Sequence, residues 1–123
     1  MEKLTVMEKE LINEIDFGLF DFGHAIRILK EGRLVARAGW NGKGMFIFMR
    51  PSDRITEESV LKIKSLPRNF KEWVESHPSE YGVIDFGSYL CMKAADGSIV
   101  NGWLASQTDM LAEDWCEVDP YSK

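Results

Sequence analysis

Residues 101–115 read Asn-Gly-Trp-Leu-Ala-Ser-Gln-Thr-Asp-Met-Leu-Ala-Glu-Asp-Trp. In this segment Ser106 or Thr108 predicts the start of a helix, and Asp109 follows Ser106 at the spacing of a capping box. The free backbone N–H groups of a helix start suit an anionic or polar ligand, and Trp103 would offer an apolar platform beside them. The alternative is an ordinary strand-to-helix turn in which Trp103 and Leu111 fill a core.

The composition predicts one soluble domain with a modest core. The chain has 123 residues, of which 45% are hydrophobic and 28% are charged. A net charge of −5 argues against a nucleic-acid polymer as the main partner, because binding to a phosphate backbone needs a basic surface. Residues 24–50 nevertheless hold six basic residues against one acidic residue. This local excess indicates either an anion site or a solvated helix face.

The cysteines, histidines and N-terminus indicate the compartment. Cys91 and Cys116 lack metal-ligand spacing, which favours free thiols in a reducing compartment, and His24 and His77 form no ligand pair. The N-terminus has no signal-peptide pattern, and no apolar run is long enough to span a membrane. We therefore expect a cytoplasmic protein with no metal, cofactor or membrane partner.

The patterning predicts an α+β fold in a single domain, with a small antiparallel sheet of about five short strands and covering helices. Strands are expected at 34–38, 45–49, 89–93, 99–103 and 115–118. The first strand carries alternating Leu34, Ala36 and Ala38, and Asn41-Gly42 predicts the hairpin turn that follows it.

Helices are expected at both ends of this pattern and within it. Residues 1–15 carry an amphipathic stripe. Asp21 caps a helix that ends near Gly32. Thr56 opens a further helix that ends at Pro67, a short helix follows at 69–76, and 77–88 is expected to be irregular. The predicted organisation is a helical extension (1–20), a ligand-binding domain (21–118) with a variable helical insertion at about 52–88, and a tail (119–123).

A second indole supports a binding role. Trp40 lies at a hairpin tip among three glycines, which leave the backbone open to a ligand or another chain. Paired indoles suit flat, π-rich ligands such as nucleobases. The sequence contains no Ser-His-Asp set, metal cluster or phosphate-binding glycine loop. Asp109, Glu113 and Asp114 are most simply a solvated helix face, so no catalytic residue is assigned.

Three segments carry a family resemblance: 36–46 (Ala-Arg-Ala-Gly-Trp-Asn-Gly-Lys-Gly-Met-Phe), 94–100 (Ala-Ala-Asp-Gly-Ser-Ile-Val) and 103–115. Together they resemble the Thoeris anti-defence family of the second type. The resemblance implies a phage-encoded sponge that sequesters, without cleaving, the cyclic ADP-ribose-type signal of bacterial TIR immune enzymes. Some members also hold cyclic oligonucleotides. It further implies a homo-oligomer, typically a tetramer, with ligand pockets between subunits, acting in the cytoplasm of the infected bacterial host.

The resemblance also implies site residues. Trp40 and Trp103 match stacking tryptophans, and Asn41 and Met45 would line the same pocket. The polar segment that would meet ribose and phosphate consists of Ser106, Gln107, Thr108 and Asp109. Arg37 or Lys43 of the first hairpin could add positive charge for phosphate. Two departures from the family pattern are residues 1–15, which precede the usual start, and Asn101-Gly102, where many members have proline.

Two other classes of function remain open. One is a small nucleotide-processing hydrolase or lyase with Asp109 or Asp114 as base. The other is a structural or interaction protein of the phage particle. Because no histidine or metal cluster accompanies these acids, the sequence favours a non-catalytic binder.

Overall fold

Helix α1 (Phe22–Lys30) begins at its predicted cap. The Asp21 carboxylate accepts the His24 backbone N–H at 2.9 Å, and Glu31 and Gly32 close the last turn by backbone bonds to Ile28 and Leu29. The structure, a computed structural model, describes residues 18–40 and 44–121. The helix predicted for residues 1–15 and the turn at Asn41-Gly42 lie outside the described residues.

Five short strands form one antiparallel sheet. They are β1 (Leu34–Arg37), β2 (Phe46–Arg50), β5 (Tyr89–Lys93), β6 (Ile99–Asn101) and β7 (Trp115–Val118). Their spatial order is β6-β5-β2-β1-β7, and every neighbouring pair is antiparallel. The predicted α+β class and five-stranded antiparallel sheet are therefore confirmed.

One face of this sheet and α1 enclose the core. The fully or almost fully buried residues of this cluster come from α1, β1, β2 and β7: Ala25, Ile28, Leu29, Val35, Ile47 and Trp115. The indoles Trp40 and Trp103 pack against the cluster while remaining partly exposed. The two candidate ligand residues therefore also serve as edges of the core.

Strand β1 turns a different side chain to the core than the predicted alternation suggested. Val35 is fully buried, Leu34 and Ala36 are half-buried, and Ala38 lies beyond the strand and is exposed. Val35 shares its face with Ile47, its register partner in β2. The alternation was uninformative because the neighbouring residues Leu34, Val35 and Ala36 are all apolar.

Residues 51–88 form a compact unit of their own. It contains β3 (Asp53–Thr56), α2 (Glu57–Val60), α3 (Arg68–Ser76) and β4 (Val83–Phe86), and β3 pairs with β4 in a two-stranded antiparallel sheet. Thr56 caps α2 as expected, but the helix is only four residues long. The expectation that 77–88 is irregular was wrong, because 83–86 finds its partner in β3.

The boundaries given above for the helical extension, the ligand-binding domain and the tail stay a prediction. Within residues 18–40 and 44–121, no helix has the length and apolar character that crossing a membrane requires. Helix α4 (Gln107–Leu111) completes the described elements and lies in the segment that contains the candidate site.

Candidate ligand-binding site

Three indoles meet edge to face at one end of the core. Trp115 is fully buried, whereas Trp40 and Trp103 are half-buried. The ring centroids of Trp40 and Trp103 are 6.3 Å apart, and their planes are inclined by 72°. Each ring also meets Trp115 edge-on, at 5.5 Å for Trp40 and 6.4 Å for Trp103. These edge-to-face contacts are favourable for aromatic rings. They hold the planes of Trp40 and Trp103 at a steep angle to each other, and this pair is here called the indole corner.

Backbone bonds fix both indole-bearing turns to the sheet. The Trp40 N–H donates to the Arg37 carbonyl at 3.2 Å, which closes a turn directly after β1. The Trp103 N–H donates to the Leu90 carbonyl of β5 at 2.7 Å. Gly102 has φ +77°, a conformation that residues with a Cβ rarely adopt. Asn101-Gly102 thus provides a sharp turn before Trp103.

The predicted capping box is present at the start of α4. The Ser106 hydroxyl accepts the Asp109 N–H at 3.0 Å, and the Asp109 carboxylate accepts the Ser106 N–H at 3.1 Å and its hydroxyl at 2.9 Å. Ser106 and Asp109 are therefore bonded to each other. Gln107 and Thr108 are exposed, and within the described part of the chain their side chains form no hydrogen bond. These two are the polar side chains here that are open to a ligand.

Arg37 lies between two carboxylates. Its Nε donates to Asp114 Oδ1 at 2.8 Å, and its Nη1 donates to Asp109 Oδ1 at 2.9 Å. The three side chains are mostly buried, with exposed fractions of 17% for Arg37, 15% for Asp109 and 27% for Asp114. The sequence expectation of a solvated acidic helix face was wrong for Asp109 and Asp114, because both turn inward to the arginine.

This ion-pair cluster perturbs all three pKa values. The hydrogen bonds to Asp114 and Asp109 raise the pKa of Arg37. The hydrogen bond from Arg37 lowers the pKa of Asp114, against a smaller opposing effect of burial. Burial raises the pKa of Asp109, but the hydrogen bonds from Ser106 and Arg37 together outweigh it, so that this pKa is also lowered. Both aspartates are therefore held in the charged form.

The predicted site residues other than Arg37 divide into three groups. Trp40 and Trp103 come together, and Ser106, Gln107, Thr108 and Asp109 begin the helix that follows Trp103. Met45 is half-buried just before β2. Asn41 and Lys43 lie outside the described residues.

Sequence reasoning missed two contributors to the site. Trp115 was interpreted only as part of a closing strand, and Asp114 only as a surface acid or a base. Trp115 also donates its Nε1–H to the Asp109 carbonyl at 2.9 Å, which ties the core to α4. The signal in the sequence was that Asp114 and Trp115 are adjacent and belong to the same segment, 101–115, as Trp103.

Two surface cavities of the same unit have no indole in their lining. One, of about 410 Å³, is lined by residues that include Leu34, Phe46 and Lys93. The other, of about 470 Å³, is lined by residues that include His24 and Arg27. Among residues 18–40 and 44–121, no group of three or more His, Cys, Asp or Glu side chains could hold a metal ion.

Comparison with known proteins adds the family. A family model described as the Thoeris anti-defense 2-like domain matches residues 20–118, which include both indole-bearing turns and the start of α4. The chain is 38% identical over 94 residues to Thoeris anti-defense 2 of Bacillus phage SP01. That alignment covers 76% of this chain and 89% of the phage protein. The resemblance seen in the sequence is confirmed, and the chain belongs to the Thoeris anti-defense 2-like family.

Proposed function

We propose that this protein is a phage or prophage anti-defence protein that binds a cyclic nucleotide immune signal and sequesters it without cleavage. The ligand class is glycocyclic ADP-ribose, the signal of TIR-domain enzymes, or a cyclic oligonucleotide. The binder acts as a homotetramer with pockets between subunits, in the cytoplasm of the infected host. The observation that carries the proposal is the corner of Trp40 and Trp103, with the exposed Gln107 and Thr108 at the start of the helix that follows Trp103.

The corner suits a nucleobase that meets one indole by its face and the other by its edge. With the ring planes inclined by 72°, the two indoles of one chain cannot sandwich a flat base between parallel faces. A base stacked on one ring would instead contact the edge of the other, a geometry that aromatic systems favour. Each base–indole stack contributes about 1–3 kcal/mol.

Exposed apolar side chains around the corner support assembly into an oligomer. Leu104 and Leu111 are 87% and 79% exposed, and Met110 is also exposed. Leu104 follows Trp103, and Met110 and Leu111 lie in α4. Large apolar side chains in such a position are typical of surfaces that a partner covers. A second copy that covers Leu104, the residue after Trp103, would bring a subunit boundary to this segment, which supports pockets between subunits.

The carboxylates of the site are poorly suited to general base catalysis. A general base at neutral pH needs a pKa near the working pH. The pKa values of Asp109 and Asp114 are instead lowered from the ordinary aspartate value by hydrogen bonds. Both oxygens of each carboxylate are already bonded within the chain. This supports sequestration over a hydrolase or lyase.

Release of bound ligand tests the proposal directly. The purified protein is incubated with glycocyclic ADP-ribose, separated from free ligand, heated, and the released material is analysed by mass spectrometry. Intact ligand in stoichiometric amount is expected. Altered ligand would indicate an enzyme. No bound ligand, from glycocyclic ADP-ribose or from a set of cyclic oligonucleotides, would leave an interaction protein as the better interpretation.

A further inference from the structure

The ion-pair cluster of Arg37, Asp109 and Asp114, here called the Arg37 bridge, connects two separate parts of the site. Arg37 ends β1, Asp109 lies in α4, and Asp114 precedes β7. The salt-bridge distances are 2.9 Å to Asp109 and 2.8 Å to Asp114. One guanidinium thus joins three elements that meet at the indole corner.

The second oxygen of each carboxylate is bonded to the backbone of an indole-bearing segment. Asp114 Oδ2 accepts the N–H of Gly39, the residue before Trp40, at 2.8 Å. Asp109 Oδ2 accepts the N–H of Ser106, three residues after Trp103, at 3.1 Å. The bridge therefore runs continuously from the Trp40 turn through Arg37 to the Trp103 segment.

Arg33 provides an internal comparison, since it too contacts two carboxylates. Its partners are Glu31 and Glu117, and its side chain is 48% exposed, against 17% for Arg37. In the described chain, the carboxylates of this second cluster do not bond to the backbone of either indole-bearing turn. Exposed ion pairs of this kind contribute little to stability. Burial and backbone connection therefore distinguish Arg37 from an ordinary surface arginine.

We propose that Arg37 is a positioning residue, which fixes the angle between the Trp40 and Trp103 turns through Asp114 and Asp109 and does not itself hold the ligand phosphate. The inference rests on the proposed function for the identity of the ligand. The bridge has two negative charges and one positive charge, so it does not attract a further anion. Arginine is suited to this role because its planar fork holds two carboxylates in fixed directions, which a lysine cannot do.

Gly39 allows the bridge to be disturbed without any change of charge. A Cβ at Gly39 would lie 2.7 Å from Asp114 Oδ2, too close for the carboxylate to keep its place. A Gly39→Ala substitution therefore displaces Asp114 from the Trp40 turn. Gly87 is the matched control, because a Cβ there meets no atom within 4 Å, and Gly87 belongs to the 51–88 unit.

The test compares Arg37→Gln and Gly39→Ala with the controls Arg33→Gln and Gly87→Ala. Affinity is measured for two probes, glycocyclic ADP-ribose and the phosphate-free adenosine. Near-ultraviolet circular dichroism of the ligand-free proteins reports the indole arrangement. We expect Arg37→Gln and Gly39→Ala to weaken both probes by the same factor, about tenfold or more, or about 1.4 kcal/mol. Both should alter the indole signal, whereas the controls should not.

The outcomes separate positioning from phosphate binding and from failure of the proposed function. If Arg37→Gln weakens only the phosphate-bearing probe and Gly39→Ala weakens neither, Arg37 is a phosphate contact and the proposal is wrong. An unchanged indole signal in both variants would also overturn it. If the wild-type protein binds neither probe nor any of the cyclic oligonucleotides, the proposed function fails, while the indole signal still tests positioning. Should Arg37→Gln not fold, Arg37→Lys and Gly39→Ala carry the same comparison.

Discussion

Trp115 determines how the other two indoles meet, because its buried ring supports both of them. It is fully buried, contacts Trp40 and Trp103 edge-on, and donates a hydrogen bond to the Asp109 carbonyl. A pattern of alternating residues indicates a strand at this position but does not identify the ring contacts, since these join residues that are up to 75 positions apart. The contribution of Trp115 was therefore not predictable from the sequence, although the family resemblance placed Trp40 and Trp103 in one pocket.

Truncation of Trp115 should destabilise the fold strongly. Trp115→Ala is expected to lower the free energy of unfolding by about 3–5 kcal/mol, because it removes a large, fully buried side chain. Trp115→Phe retains most of the packing and should cost less. Urea unfolding measures both. The control is Trp73→Ala, whose indole is 52% exposed in the 51–88 unit and should cost least. Equal losses at the two positions would contradict this account of the core.

Trp103 should contribute directly to ligand affinity. Trp103→Ala is expected to weaken binding by about 1–3 kcal/mol if its ring stacks on the base. Titration calorimetry with glycocyclic ADP-ribose measures the change, and Trp73→Ala should leave the affinity as it is. An unchanged affinity in a Trp103 variant that is folded and correctly assembled would remove Trp103 from the site.

Among the helices and strands, the helix caps could be predicted from the sequence, whereas the core-facing side of a strand and its pairing partner could not. The cap at Asp21 and the capping box of Ser106 and Asp109 were predicted, because capping depends on residues within one turn. The core-facing side of β1 and the pairing of β4 were not predicted. Both depend on which distant strand or helix lies opposite, and a run of neighbouring apolar residues such as Leu34-Val35-Ala36 fits either face.

The Arg37 bridge should make stability sensitive to acid. The folded-state pKa values of Asp109 and Asp114 are lowered, so folding favours their charged forms. The resulting stabilisation is fully present above the unfolded aspartate pKa of about 3.9, and it is lost as the pH falls through the lower folded values. Urea unfolding at pH 7, 5 and 3 should show little change in the first interval and a decline in the second.

Substitution of single carboxylates tests whether the Arg37 bridge, and not another ion pair, causes the acid sensitivity. Asp114→Asn should reduce stability at pH 7 and make the decline in acid shallower than in the wild type. The control is Asp85→Asn, since Asp85 is also ion-paired but is 66% exposed in the 51–88 unit. A decline that is equally steep in wild type and Asp114→Asn would mean that the bridge does not carry the acid sensitivity.

The N-terminal segment bears on the molecule as a whole. The family match begins at residue 20, and residues 1–17 precede the described chain. Their amphipathic stripe predicts a helix that packs on the domain or on a neighbouring subunit. Removal of residues 1–15 should therefore lower the melting temperature or change the assembly state seen by light scattering. If both measurements match the full chain, the segment has no structural role in the assembly.

The overall charge of the molecule sets how its affinity should respond to salt. The proposed ligand carries a diphosphate, whereas the chain has a net charge of −5, so long-range attraction cannot be the main source of the expected affinity. At physiological salt, charges more than about 8 Å away are largely screened, and local groups dominate. Within the described site, the positive charge of Arg37 is already offset by Asp109 and Asp114. Stacking and fixed hydrogen bonds, which salt affects little, remain as the main contributions.

We therefore expect the affinity for glycocyclic ADP-ribose to change by less than tenfold, about 1.4 kcal/mol, between low and moderate salt. Titration calorimetry at a series of salt concentrations measures the slope. The slope should be the same in wild type and Arg37→Gln, because a positioning residue changes the affinity without changing the number of phosphate contacts. A steep fall with salt that Lys43→Gln abolishes would show that a cation of the first hairpin dominates. The affinity would then come from charge, and the indole corner would serve only to orient the base.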